Sequence, residues 1–244
     1  MKKLLTAALT ALLMACTPDH LDDSDLYGCW RISANLISSY LSLDSDHTYQ
    51  MMLSEPDKLY DNYGTLEARH EYSDGTWHLE GNIIKLLCND TIAHILQDVE
   101  KGKNGISFEM KQGSKMWRYG GSEIRELQLS EVTGTWSFTE RQVFRGLYDM
   151  VMTLDDTYHS RMTFSAPNDN HGHDIHDWKD IDYTILGNYI VFTGLNPVHY
   201  FSRYTTDDGS IEYTSWNSQG SIARFQAIPQ DPSAHELRLD GFIF

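Results

Sequence analysis

The sequence predicts an all-β protein made of two tandem, roughly eight-stranded antiparallel up-and-down barrels. Three observations predict it. The stretch Ser24-Asp25-Leu26-Tyr27-Gly28-Cys29-Trp30 recurs as Ser130-Glu131-Val132-Thr133-Gly134-Thr135-Trp136. Apolar and polar residues alternate on both sides of two Gly-Asn pairs, the pattern of half-buried strands joined by two-residue hairpin loops. Aromatic residues make up 12% of the chain and only 6 prolines interrupt it, which suits a packed β protein rather than a disordered one.

Ahead of the first copy, residues 1–15 read as a signal peptide. Lys2 and Lys3 give a basic start, and Leu4 to Ala15 form an apolar run too short to span a bilayer. Leu13-Met14-Ala15-Cys16 resembles the lipobox of bacterial lipoproteins. The resemblance implies that Cys16 is diacylated, becomes the first mature residue, and holds the protein as an outer membrane lipoprotein of a Gram-negative cell envelope. Each buried methylene contributes about 0.8 kcal/mol and two or more chains anchor stably, so the membrane is expected as a partner through the lipid anchor only. Residues 16–23 form an acidic tether. The run Thr17 to Asp25 is similar to acidic signals that send some lipoproteins to the cell surface, and the sequence leaves periplasmic and surface-exposed placements both open.

Loss of Lys2 and Lys3 with the signal leaves 17 basic against 35 acidic residues, a formal charge of −18. Such a field makes nucleic acid and anionic lipid poor partners.

The repeat holds at a shift of 106 residues, pairing Leu21 with Leu127, Gly28 with Gly134 and Trp30 with Trp136. Trp77, Leu79, Gly81-Asn82, Ile84 and Leu86 meet Tyr183, Ile185, Gly187-Asn188, Ile190 and Phe192, and Met116 to Tyr119 meets Ile222 to Phe225. One supersecondary plan is used twice, giving a barrel over 24–122 and another over 127–228. With Gly81-Asn82 as a hairpin loop, Leu79 lies opposite Ile84 and Trp77 opposite Leu86 on a buried face, with His78 and Lys85 outside. The second copy puts Tyr183, Ile185, Ile190 and Phe192 inside and Asp182, Thr184, Val191 and Thr193 on a mostly solvated exterior. Leu41 to Leu43, the turn Asp44-Ser45-Asp46 and Thr48 to Met52 form another hairpin. Its counterpart runs from Met150 to Leu154, turns at Asp155-Asp156 and returns from Thr157 to Phe164. Runs at Ile92–Val99 and Ile106–Met110 bring the count to about eight strands per copy, which closes a barrel wide enough for side chains or one small ligand.

Ser24 and Ser130, each followed by an acid, suit the N-cap of a short helical turn before Gly-x-Trp. This arrangement resembles the lipocalin and wider calycin families, where a turn precedes a Gly-x-Trp strand at the closed end and an arginine from the last strand lies over the tryptophan. The resemblance covers nearly all of the mature chain, although no Thr-Asp-Tyr turn stands at a comparable place. It implies a structural latch of Gly28, Trp30 and Arg118 in one copy and Gly134, Trp136 and Arg224 in the other, and the binding of small apolar molecules.

No linker separates the copies, so the barrels are expected to touch. Residues 229–244 have no barrel counterpart and form a C-terminal extension packing on the second barrel or between the two. A terminal phenylalanine also occurs in outer-membrane barrels, but spanning strands need about 9 to 11 residues with an apolar outer face; the strands expected here are shorter and polar outside. Cys29 and Cys88 remain after the anchor. An oxidising compartment permits a bridge, but the expected register puts the two side chains on opposite faces.

No G-x-S-x-G elbow, H-E-x-x-H, phosphate-binding glycine loop or dinucleotide fingerprint occurs, so no enzyme and no cofactor is expected. The densest cluster of metal-ligand types is His171-Gly172-His173-Asp174-Ile175-His176-Asp177. In an extended loop His171 and His173 share a side, and His176 or Asp177 closes a site for a divalent transition metal; the alternative is a solvated rim insertion. Asp44-Ser45-Asp46 and Asp155-Asp156 lack the EF-hand glycine and distal glutamate and read as ordinary turns. The inward residues Leu41, Leu43, Trp77, Leu86, Met150, Met152, Tyr183 and Phe192 line a candidate ligand cavity or, alternatively, fill a solid core.

The functional expectation is a non-enzymatic lipoprotein whose barrels bind a small hydrophobic or amphipathic ligand. The alternatives are a structural or adhesive surface module and a metal-binding loop protein. The sequence names no protein partner.

Overall fold

The computed structural model describes residues 21–34, 38–60, 66–140, 149–167, 173–195, 198–205, 211–217 and 220–230. The signal, Cys16 with most of its tether, His171 and residues 231–244 lie outside the described residues.

A 3-10 turn, Asp23–Asp25, leads into β1 (Gly28–Ser33), β2 (Ser39–Leu43), β3 (Thr48–Tyr60), β4 (Leu66–Glu80), β5 (Ile83–Cys88), β6 (Thr91–Gly102), β7 (Gly105–Gln112) and β8 (Lys115–Ile124). Each strand pairs with the next, and β8 returns to β1 to close an antiparallel barrel. The hairpin registers follow the expected alternation. Trp77 faces Leu86 and Leu79 faces Ile84 across the Gly81-Asn82 turn, while Leu41 faces Met51 and Leu43 faces Tyr49 across the Asp44 turn. Inward positions fill the interior: Trp30, Leu41, Leu43, Trp77, Ile84, Leu86 and Phe108 all have 0% exposure. Burial at that scale contributes about 1.5–3 kcal/mol per side chain and is the main term holding the barrel. β3, β4 and β6 run to 13, 15 and 12 residues, longer than expected. Polar side chains stand at described outer positions of each, Gln50, Glu80 and Gln97 among them.

The second unit begins with the helical turn Leu129–Val132, followed by β9 (Gly134–Glu140), β10 (Asp149–Leu154), β11 (His159–Pro167), β12 (His173–Asp182), β13 (Thr184–Leu186), β14 (Tyr189–Phe192), β15 (His199–Thr205), β16 (Ile211–Asn217) and β17 (Gly220–Gln230). Closure is observed once, not twice. These strands form a nine-stranded sheet in the order β12-β11-β10-β9-β17-β16-β15-β14-β13, open in its hydrogen bonding. The break falls at one residue. Tyr183 is the one residue between β12 and β13, and it donates its backbone N–H to the Tyr158 carbonyl at 2.9 Å. At the matching place in the barrel the Trp77 N–H goes to the His47 carbonyl at 2.9 Å, but β4 continues through it.

The shift of 106 also governs the last strands. Trp30 pairs with Glu123 and Cys29 with Ile124; Trp136 pairs with Pro229 and Thr135 with Gln230. Pro229 and Gln230 therefore belong to the second sheet rather than to an extension, and barrel 1 runs to Ile124.

The two units touch along their outer faces. Cys29, Tyr40 and Met52 of the barrel pack against Leu186 and Val191 of the sheet, with Tyr72, Ile124, Tyr189 and Val198 around them. Val191, expected on a solvated exterior, is fully buried because that exterior is docked. Tyr40 meets Tyr189 edge to face at 5.0 Å. Gly187, at φ +62, turns the β13–β14 hairpin directly over Tyr40 and Ile124, where an added Cβ would come within 2.9 and 3.0 Å of their side chains. Its N–H donates to Glu126 Oε1 at 3.1 Å, and its carbonyl accepts from the Leu127 N–H at 2.9 Å.

Candidate functional site

Three places carried the sequence expectations: the closed-end latch, the histidine-rich segment and the barrel interior.

At the closed end, the tryptophans are placed alike. Trp30 Nε1 donates to the Leu26 carbonyl at 3.0 Å, and Trp136 Nε1 donates to the Val132 carbonyl at 2.7 Å. Gly28 and Gly134 have φ of +136° and +135°, a backbone that side chains resist. The preceding turns are not capped by Ser24 and Ser130. Instead Asp25 accepts the Asp22 N–H at 2.9 Å, and Glu131 accepts the Gln128 N–H at 2.7 Å.

The arginines are elsewhere. Because Trp30 pairs with Glu123, Arg118 lies five residues up β8, about 17 Å away at the spacing of a strand. It is on the outer face, where it pairs with Glu100 at 3.0 Å and Glu109 at 3.7 Å. Arg224 is displaced from Trp136 by the same five residues along β17, and its side chain lies outside the described part. The cation over Trp30 is Lys101, with Nζ 3.9 Å from the ring centroid. A bulge in β6 puts it there. The register with β7 shifts between Gln97 and Glu100, and Asp98 adopts φ +49°. The extra residue resets the alternation, so Leu96 and then Val99 and Lys101 face inward. Asn82 fixes the bulge: its carbonyl accepts the Val99 N–H at 2.9 Å, and its side chain donates to Asp98 Oδ1 at 3.2 Å.

From His173 onward the histidine-rich segment is strand, not loop. His173 to Trp178 pair without interruption against β11, so the adjacent His176 and Asp177 point to opposite faces and cannot close one site together. Asp177 is already engaged. It accepts two bonds from Arg161 at 2.8 Å each, one from Thr163 Oγ1 at 3.2 Å, and faces Lys179 at 3.3 Å. The Arg161 hydrogen bonds hold its carboxyl well below the usual carboxylate range, against the cost of burial. Among the described residues no group of three His, Cys, Asp or Glu is placed to hold a metal. The acidic turns are hairpin loops: Asp46 Oδ1 accepts the Thr48 N–H at 3.0 Å, and Asp155 Oδ1 accepts the Thr157 N–H at 2.9 Å.

The interior divides into two halves. Leu41, Leu43, Trp77 and Leu86, expected to line a cavity, expose no surface at all and form the solid closed half. In the second unit Met152 and Phe192 are equally covered and Tyr183 nearly so, its hydroxyl donating to the Asp155 carbonyl at 2.6 Å. Met150 lies in β10, with its side chain outside the described part.

Towards the other end of barrel 1, beyond these residues, the inward positions become polar and partly open. Leu53 is inward and faces Glu71, and Met51 is inward and faces Ser73. Leu86 is inward and faces His94, and Cys88 faces Thr91 across the next inward pair. The wall opposite is apolar: Ile32, Met110, Tyr119 and Trp117, the last 37% exposed and paired with Met110. Tyr49 forms the floor, 1% exposed, and its hydroxyl has no partner in hydrogen-bond geometry. Burial pushes its phenol up, with Ser73 opposing that and the Cys88 thiol adding to it, which places both groups beside it. Burial likewise pushes His94 below the usual histidine range while the Glu71 carboxylate pulls it back. Cys29, by contrast, is on the outer face under the second unit, and both cysteines are free thiols. The sequence contained a signal for this mouth: stepping back by twos from Trp77 gives Gly75, Ser73 and Glu71.

No family model matches the chain, and no curated sequence matches it. Among solved structures it is similar to a protein of unknown function from the DUF3598 family of Nostoc punctiforme, at 12% identity and a TM-score of 0.25, over 83% of this chain and 94% of that one. A likeness of that size carries no functional argument; the closed barrel rests on this chain's own register.

Proposed function

We propose that the protein is a non-catalytic lipoprotein of the outer membrane, anchored by Cys16, whose first barrel binds a small amphipathic molecule in its open half. One observation carries the reading: Leu41, Leu43, Trp77 and Leu86 of the closed half have no accessible surface, whereas the inward residues Ser73, Cys88, His94 and Trp117 of the other half are only partly covered. A ligand site needs such a division, with a rigid packed base and a mouth of mixed polarity. The second unit supports the first. In our reading it is a lipocalin-like barrel too, closed through the bent β12–Tyr183–β13 strand, because its two end strands are consecutive in the chain. The competing reading, a structural or adhesive module, draws support from the complete burial of Met152 and Phe192, and we assign that role to the second unit alone.

The test is mass spectrometry of small molecules released from natively expressed protein. A molecule released from the wild type and missing from a mouth-filling Ser73→Trp variant is the expected result. Equal release from both, or none from either, removes the reading.

A further inference from the structure

The polar residues of the mouth do not ring it evenly. They stand on one arc, β4 to β6, where Glu71, Ser73, Cys88, Thr91 and His94 take successive inward positions above the Tyr49 hydroxyl. The facing wall offers Trp117, paired with the buried Met110. Among the described side chains, charge is one-sided as well. Among those side chains Glu71 is the acid of the polar arc, and burial pushes the His94 imidazole away from its charged form. The inward cation of the far wall is Lys115, one inward position beyond Trp117 beside the β7–β8 turn, exposed and paired with Gln112. A chain of net charge −16 draws cations toward such an opening.

We propose that the ligand of this mouth is a small amine with an apolar body, its ammonium group held by the Glu71 carboxylate and the Ser73 hydroxyl on the same face of β4, its body against Trp117. This rests on the ligand-binding reading and names the class of molecule for the same site. The chemistry fits in each part. An ammonium group supplies three donors to an arc of acceptors. A cation beside Trp117 gains from the face of the indole. The unpartnered Tyr49 hydroxyl at the floor marks where a polar ligand group, or water beneath it, completes the hydrogen bonding. A carboxylate in the same place would meet Glu71.

The full chain, as a Cys16→Ser soluble form, is titrated with two fluorescent probes that differ only in their end group, dansylcadaverine and dansyl-6-aminohexanoate. The amine should bind saturably and about tenfold or more tighter than the acid. Glu71→Gln, an isosteric change at an exposed position, should remove that preference, while Lys115→Gln should move the amine affinity upward or leave it. Equal or tighter binding of the acid, or an amine affinity indifferent to Glu71→Gln, overturns the amine proposal and leaves ligand binding standing. An equal weakening of the amine by Lys115→Gln also overturns it, because the effect would then not follow charge. No saturable signal from either probe overturns both readings.

Discussion

Lys101 Nζ stands 3.9 Å from the centre of the Trp30 indole, a contact created by the β6 bulge at Asp98 rather than by the last strand. The barrel's closed end is thus held by a cation from the middle of the chain, over a tryptophan whose N–H is fixed to Leu26.

Lys101→Ala should therefore destabilise the barrel by about 1 kcal/mol, within the range for a cation over a partly desolvated ring. Arg118→Ala, on an exposed outer-face network, should change stability by less than about 0.5 kcal/mol. Urea unfolding of the two variants decides between them, and the opposite ranking would return the latch to Arg118.

Trp30 is wholly buried, so Trp30→Ala should cost roughly 3 to 5 kcal/mol through lost transfer energy and the cavity left behind. Dansyl probe affinity, measured under conditions where the variant remains folded, should be unchanged, because the plug and the mouth lie at opposite ends. A variant as stable as the wild type would show that the closed end does not depend on the plug.

Glu126 provides a pH signature of docking. Burial pushes its carboxyl up, with the Gly187 N–H opposing, the Asp44 carboxylate adding to the rise and the Cys29 thiol opposing it. An acid whose folded value is raised binds more protons folded than unfolded, so its contribution is fully present below its ordinary value and is lost as pH rises through the folded one. Glu126→Gln should consequently gain stability relative to the wild type between pH 4 and pH 7 in paired thermal melts. A difference that stays flat across that interval would mean the carboxyl is not desolvated at the interface.

Asp177 has the reverse sign. Its carboxyl is held low by Arg161 and Lys179, so its contribution is present above the ordinary carboxylate value and lost as pH falls toward the depressed one. Asp177→Asn should cost about 1 kcal/mol near neutrality, discounted for its partial exposure, and the deficit should shrink in strong acid. Calorimetry with Zn²⁺ should give the same heat for this variant as for the wild type.

Much of the fold was legible because strand alternation around Gly81-Asn82 and Gly187-Asn188 is a local signal that tertiary contacts did not override. The 106-residue repeat went further than expected, reaching Pro229 and Gln230. What could not be read had non-local causes. Val191 looks solvated until the second unit docks on the barrel. Arg118 looks like a latch until the β1–β8 register places it five residues from Trp30's partner. Lys101 faces inward only because Asp98 takes a left-handed backbone, which nothing in its local sequence announces. The histidine-rich segment reads as loop from composition, but pairing with β11 makes it strand from His173 and puts His176 and Asp177 on different faces. The mouth residues were within reach, since Glu71 and Ser73 share the parity of Trp77.

The reactivity of the two thiols tests the account most directly. In the folded Cys16→Ser protein, a small maleimide should label Cys88 at the mouth and leave Cys29, sealed between the units, untouched until unfolding; Cys88-labelled protein should no longer bind the dansyl amine. Labelling of Cys29 in the folded state, an inert Cys88, or undiminished amine binding after Cys88 is labelled would contradict an open, ligand-holding mouth above a solid base.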